Sequence, residues 1–470
     1  MSQATIDDND HSQPPDDLAT IFELVLAGYP VDSFIEGDNG TVEVLGCDYT
    51  VKIKNFSDGS RSVSLDTQPG SLGMDASISN ATADIKLKPN GWCLWGTING
   101  NVTIQSINIS GDVSLSVVNA ELDASLDNVS VTMNNLDFDL DSGVLDVLIG
   151  WLIDLFTEGL ADDLAQSFEG EFANQLEPVL ASALGSLAFD TSFELPSLTP
   201  GSPGVEVSLT TSFSDVDISD SGAAFYMKAG SSAIADPAYE NLGALRRLGC
   251  GASAQSLQMP STDPFEIGLS DDTFNLLLYA AWQGGLLDFE VPPEMLADVD
   301  LSQFGISPDD LSINLSAMLA PVVTDCAGGE LTMHMGDLKV NAAMNLFGQV
   351  IDVEMYASFS AGVTLSVSEG TLGLEINEIQ GLESQISVLQ EALVESESAI
   401  AALIDDSLVP ALLGALGGGA LGGFPLPEIA LTDEMLDLPA GSIPNGTAIG
   451  INAESSVHED GNVYISGTLK

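Results

Sequence analysis

The feature that most limits how this chain can fold is a long run of period two followed by a long run of period four. Apolar side chains alternate with Ser, Thr, Asn and Asp from Thr41 onward. Ile85 and Leu87 begin the run, and Val102, Ile104, Ile107, Ile109, Val113, Leu115 and Val117 extend it. Ala120, Leu122, Ala124 and Leu126 follow in a new phase, then Val129, Val131 and Met133, then Leu136, Phe138 and Leu140. Such alternation predicts long antiparallel strands with one apolar and one polar face. The phase changes at Ser106, Asn119 and Asn128 predict bulges or turns. Pro89-Asn90-Gly91 predicts a hairpin turn.

The period then switches. Leu148, Leu152, Phe156, Leu160, Leu164, Phe168, Phe172, Leu176 and Leu180 recur every fourth residue, with Asp154, Glu158 and Asp162 on nearly the opposite side. That pattern predicts an amphipathic helix of about ten turns, roughly 60 Å long, kinked at Pro178. A strand of about 15 residues spans roughly 50 Å. The matched lengths predict a sheet curled along one long helix.

Phe189 to Gly204 is rich in Pro, Ser and Thr and reads as a boundary. Beyond it the order of elements repeats. Period two runs through Val205–Phe213, Ala223–Lys228, Leu331–Ala342, Ile351–Val367 and Leu372–Ile376. A second helix is predicted with Ile386, Leu389, Leu393, Ile400, Leu403, Ile404, Leu408 and Leu412 on one face. A last strand closes the chain. Two halves with the same order of elements predict a structural duplication. The expected division is a disordered tail over 1–16, a first domain over 17–200, a central segment over 201–230 and a second domain over 231–470. The fold class is therefore α+β.

Charge excludes several functions. The chain carries 10 basic and 70 acidic residues, a formal charge of -60. No nucleic acid is expected to bind such a surface, and docking on anionic lipid should be weak. A salt-rich habitat or bound cations fit this balance.

The cysteines are Cys47, Cys93, Cys250 and Cys326. One disulfide per half, Cys47–Cys93 and Cys250–Cys326, is one reading and implies an oxidising compartment. Four buried thiols is the other. No CxxC pair points to zinc. No signal-like segment opens the chain. Ser407 to Pro427 is uncharged but broken by glycine and proline, so it reads as a helix end and loop.

Chemistry is sparse. The histidines are His11, His334 and His458, and no nucleophile elbow, zinc helix or P-loop is present. Asp137-Phe138-Asp139-Leu140-Asp141 lacks the glycine and glutamate spacing of a calcium loop and reads as a strand with its aspartates outward. Asn80, Asn101, Asn108 and Asn128 stand in Asn-x-Ser/Thr triplets. Arg246-Arg247 is the one adjacent basic pair. No metal and no cofactor is expected.

Three segments together resemble the bactericidal/permeability-increasing and lipopolysaccharide-binding protein family. They are Val147 to Pro178; Gly268 to Asn275 with Tyr279 and Gln283 to Leu287; and Val409-Pro410 with Gly423 to Pro427. Gly461 to Lys470 also fits. The resemblance implies two tandem tubular lipid-binding barrels forming a boomerang. Each would be a curved sheet wrapped on one long helix, and a central sheet would join them. It also implies an apolar groove in each half for acyl chains, and a secreted or periplasmic protein. The chain departs from the family's basic members, since Lys52, Lys54, Arg61, Lys86 and Lys88 are the only bases in its first 200 residues.

The expected function is non-enzymatic binding or transfer of lipid, with transient membrane contact. The groove candidates are Leu152, Phe156, Leu160, Leu164, Phe168, Ile386, Leu389, Leu393 and Ile400. The alternative is a secreted structural or adhesive β-protein whose barrels are filled by side chains. Nothing in the sequence sets an oligomeric state.

Overall fold

In a computed structural model, the residues described are 1–10, 17–28, 31–44, 46–92, 96–141, 190–199, 204–234, 265–296, 311–324, 331–346, 349–368, 371–388, 448–459 and 461–469, with short stretches and single positions between them.

The first sheet holds β1 (Gly37–Val44), β2 (Cys47–Ser57), β3 (Arg61–Gln68), β4 (Ser71–Pro89), β5 (Ile98–Val118) and β6 (Glu121–Leu140). Its order is β1-β2-β4-β5-β6, and β3 pairs with the part of β4 that β2 leaves uncovered. The three longest strands have 19, 21 and 20 residues, so each spans roughly 65 Å. The β5–β6 hairpin turns on Asn119 and Ala120, both at positive φ (53° and 69°), as a two-residue turn of this hand requires.

A seam of paired outward residues crosses this sheet. Inward positions step by three at Ile78/Ala81, Ile104/Ile107 and Met133/Leu136, so Ser79-Asn80, Gln105-Ser106 and Asn134-Asn135 all face out. Asn80 and Asn135 take left-handed φ of 51° and 53°, which asparagine tolerates better than most residues. The Asn135 side-chain amide donates to Gln105 Oε1, and Asn134 Nδ2 donates to Ser106 Oγ at 3.3 Å.

The second sheet repeats this plan. It holds β11 (Asp288–Val291), β12 (Leu311–Ala317), β13 (Val322–Thr324), β14 (Thr332–Leu346), β15 (Gln349–Ser368), β16 (Thr371–Val388) and β17 (Phe424–Pro425). The order is β11-β12-β14-β15-β16-β17, and β13 pairs with the part of β14 that β12 leaves free. Asp337, at φ 48°, lies in the bulge of β14, and Asn80 of β4 shares its left-handed backbone. The two sheets thus share one topology, which is the sheet part of the expected repeat.

Between them lie β7 (Asp190–Leu195), β8 (Val205–Ser219) and β9 (Gly222–Ala233), ordered β7-β8-β9. A further sheet joins β10 (Phe265–Ser270), β20 (Asn462–Leu469), β19 (Ala448–Glu459) and β18 (Glu428–Ala430). Two apolar cores result. Phe213 and Ile218 of β8 belong to the first, and Val205, Val207 and Leu209 of the same strand belong to the second.

Helices α1 (Gln3–Ile6), α2 (Leu18–Gly28) and α3 (Asp32–Ile35) precede the first sheet, and α4 (Asp271–Gln283) precedes the second. Asp17 caps α2 through its Oδ1, which accepts from the Thr20 N–H at 2.6 Å.

Two expectations need correction. The tail is not disordered over residues 1–10. Gln3 Nε2 donates to Leu65 O, Gln3 Oε1 accepts from Thr67 N–H, and Asp7 Oδ2 accepts from Leu65 N–H, while Ile6 is buried. These polar residues satisfy the backbone edge of β3. Ile386 does not begin a helix; it lies on β16, opposite Met355 of β15. The step of three from Ile386 to Leu389 fits a helical face, but β16 runs two residues beyond Ile386, to Val388. Leu389, Leu393 and Ile400 lie outside the described residues, as do Leu160, Leu164 and Phe168.

Candidate functional site

On either side of the seam, alternate residues of β4 and β5 turn inward, which gives the first core Ile85, Leu87, Val102 and Ile104. Leu152 and Phe156 come from the predicted helix and are both 0% exposed. Phe156 meets Phe138 of β6 edge to face, with ring centroids 5.4 Å apart. Leu152 and Phe156 are thus the two predicted groove residues that the described structure places against a sheet. The second core differs in character. Met333, Met335 and Met344 of β14 and Met355 of β15 are all buried in it. Thioethers have several rotatable bonds and adapt to varied shapes.

The outer face of the first sheet holds what the sequence reading missed. Lys52 stands opposite Lys86, Thr50 opposite Lys88, and Lys54 opposite Asp84. Four of the ten basic residues therefore share one facet of β2 and β4. The second half supplies an internal comparison. Its matching row pairs Ser312 with Ala343, and the next pairs Asn314 with Asn341. The third pairs Ser316 with Lys339, which is neutralised by Glu354, so the facet there has one lysine where the first half has four. The signal in the sequence was Lys52-Ile53-Lys54 and Lys86-Leu87-Lys88, two alternating pairs whose pairing across β3 only the fold reveals.

Beyond Lys88 the chain turns at Asn90. Its N–H donates to Asp48 O at 2.8 Å, and its Oδ1 accepts from Thr50 Oγ1 at 2.7 Å. Trp92 follows at 93% exposure. Cys47, at the start of β2, is disulfide-bonded. Cys93, Cys250 and Cys326 lie outside the described residues, so the two expected pairings do too. An exposed indole thus stands on a braced turn beside the lysines.

Elsewhere the polar chemistry binds elements together. Lys339 Nζ meets Glu354 Oε2 at 2.8 Å, and this contact raises the lysine pKa and lowers that of the carboxyl. Tyr239 OH donates to Asp288 Oδ1 at 2.6 Å, and its ring stacks on Trp282 at 4.4 Å. Burial first, then the Asp288 contact, pushes the Tyr239 phenol up to about 12. His334 is exposed, 3.4 Å from Thr324 Oγ1. Asp137 and Asp139 face outward while Phe138 and Leu140 are buried. Among the described residues no group of three or more His, Cys, Asp or Glu is placed to hold a metal, and no helix is long and apolar enough to cross a membrane.

No protein-family model matches this chain, and no curated protein sequence does. Among solved structures it is similar to a lipopolysaccharide binding protein, at 14% identity over 96% of each chain with a TM-score of 0.44. It is also similar to P47 of Clostridium botulinum E1, at 10% identity over 95% of this chain and 97% of that one, TM-score 0.25. Latherin is similar at 15% identity over 33% of this chain and 74% of its own, TM-score 0.21. These are distant likenesses of fold, and at such TM-scores none of them bears on what this chain does.

Proposed function

We propose that this chain is a non-enzymatic lipid-binding or lipid-transfer protein that meets anionic lipid surfaces with the β2–β4 facet of its first half. The observation that carries the reading is that facet. In a chain of charge -60, four lysines share one face beside a 93% exposed tryptophan, while the opposite face of the same sheet is apolar. Lysines supply charge for headgroup phosphates, and an exposed indole suits the water–hydrocarbon interface.

Acyl chains would occupy the inner faces. Burying a methylene is worth about 0.8 kcal/mol, so a 16-carbon chain gains on the order of 12 kcal/mol over water. A bilayer offers nearly the same, so exchange needs no catalytic group. The methionines of the second core suit a ligand of variable length. The disulfide at Cys47 supports a secreted or periplasmic setting.

Native mass spectrometry of the folded, purified chain tests this. Co-purifying or exchangeable lipid is expected. A folded sample that neither carries lipid nor takes up a fluorescent phospholipid from vesicles would overturn the reading. It would favour a structural or adhesive protein with filled barrels, a second reading to which the complete burial of Leu152 and Phe156 lends support.

A further inference from the structure

Helix α4 holds the second half together with one side-chain stripe. Asp271, Asn275, Tyr279 and Trp282 are spaced i, i+4, i+8 and i+11, so they share a face. Each bonds a different segment. Asn275 exchanges two bonds with Val323 of β13: its Oδ1 accepts from the N–H at 2.7 Å and its Nδ2 donates to the C=O at 3.0 Å. Tyr279 OH accepts from Gly243 N–H at 3.0 Å. Trp282 Nε1 donates to Ala317 O at 2.6 Å. These three join neutral side chains to backbone and do not change between pH 5 and 8.

The fourth does. Asp271 is 0% exposed, and its Oδ1 lies 3.1 Å from His458 Nε2 on β19. The Asp271 N–H also donates to Gly461 O at 3.1 Å, so the start of α4 is seated on the β19–β20 hairpin. We propose that His458 and Asp271 form a proton-operated latch that clamps this hairpin to α4 in mild acid and loosens it above neutrality. With a neutral imidazole the contact is an ordinary hydrogen bond. With an imidazolium it is a buried ion pair, and charge-assisted bonds are roughly twice as strong.

The charged side chains carried by the surrounding elements are mostly acidic. They are Asp272 on α4, Glu266 on β10, Glu454 on β19, Asp352 and the Lys339-paired Glu354 on β15, and Glu206, Asp215 and Asp217 on β8. Lys228 on β9 is the one basic side chain among them, the Met1 amine donates to Ala223 O of β9 and lies near Glu266, and β13 carries no titratable group. Stability gained by protonating His458 is present below the ordinary histidine range, about pH 6–7, and is lost as pH rises through it. The latch does not depend on the lipid reading.

Hydrogen exchange of the full chain tests it. After correction for intrinsic rates, opening of residues 448–469 is expected to be about tenfold rarer at pH 5.5 than at pH 8. His458→Gln keeps an amide donor without the charge and should abolish that difference. Asp271→Asn should abolish it too; if that variant fails to fold, His458→Gln alone decides. A wild type with no pH difference, or a His458→Gln protein that keeps it, would overturn the proposal.

Discussion

Lys52 and Lys86 stand directly opposite one another on neighbouring antiparallel strands. Like charges in that relation destabilise a sheet by roughly 0.2–1 kcal/mol. Lys86→Thr should therefore raise stability by about that much, read as a higher urea midpoint at unchanged slope. The same change should weaken binding to anionic vesicles severalfold. A variant that is stabilised yet binds as before would separate the lysine pair from lipid docking.

Binding to anionic vesicles should pass through a maximum as salt rises. Screening lengths are about 30 Å at 0.01 M, 8 Å at 0.15 M and 3 Å at 1 M. At the lowest salt the vesicle feels the whole charge of -60 and is repelled. Near 0.15 M it feels mostly the facet. At 1 M even the facet is screened. Co-sedimentation across this range would contradict the idea if binding fell steadily from the lowest salt upward.

Trp92 contributes nothing to either core, being 93% exposed. Trp92→Ala should leave the melting temperature within about 1 °C. It should reduce vesicle binding by roughly tenfold, the loss of about 1.4 kcal/mol. Light-scattering titration reads the binding and a thermal melt reads the stability, each with the wild type alongside.

Phe156→Ala removes a fully buried ring and its edge-to-face contact with Phe138. It should cost about 3–5 kcal/mol. A cost well below that, in chemical denaturation, would mean that Phe156 borders an existing void large enough to relax into.

Tyr239 makes alkaline stability a local matter. Its phenol loses a proton near pH 10 when unfolded but at about 12 in the native chain. The native state then holds the extra proton between those values, so stability falls as pH rises from 10 to 12. The group is only partly buried, so solvent screening keeps the effect modest. Tyr239→Phe should flatten the fall in melting temperature over that interval, beyond what other tyrosines contribute.

How much of this was readable in advance depended on whether neighbours in sequence were neighbours in space. The breaks at Asn119 and Asn128 were legible because asparagine at a phase change announces left-handed backbone, and both residues adopt it, at φ 53° and 55°. The burial of Leu152 and Phe156 followed from a row on one helical face. Ile386 was misread because its helical step of three to Leu389 hid the fact that β16 continues to Val388. The packing of residues 1–10 was hidden because Gln3 and Asp7 look like solvent-facing residues until the open edge of β3 is placed beside them. The lysine facet was hidden because β3 separates β2 from β4 in the chain.

The strand β8 gives the duplication its last consequence. With Phe213 and Ile218 in one core and Val205, Val207 and Leu209 in the other, it is common property of the two copies. Neither copy can now be excised with its interior complete, since any cut strips apolar side chains from one of them. Expression of either half alone should therefore yield insoluble chain.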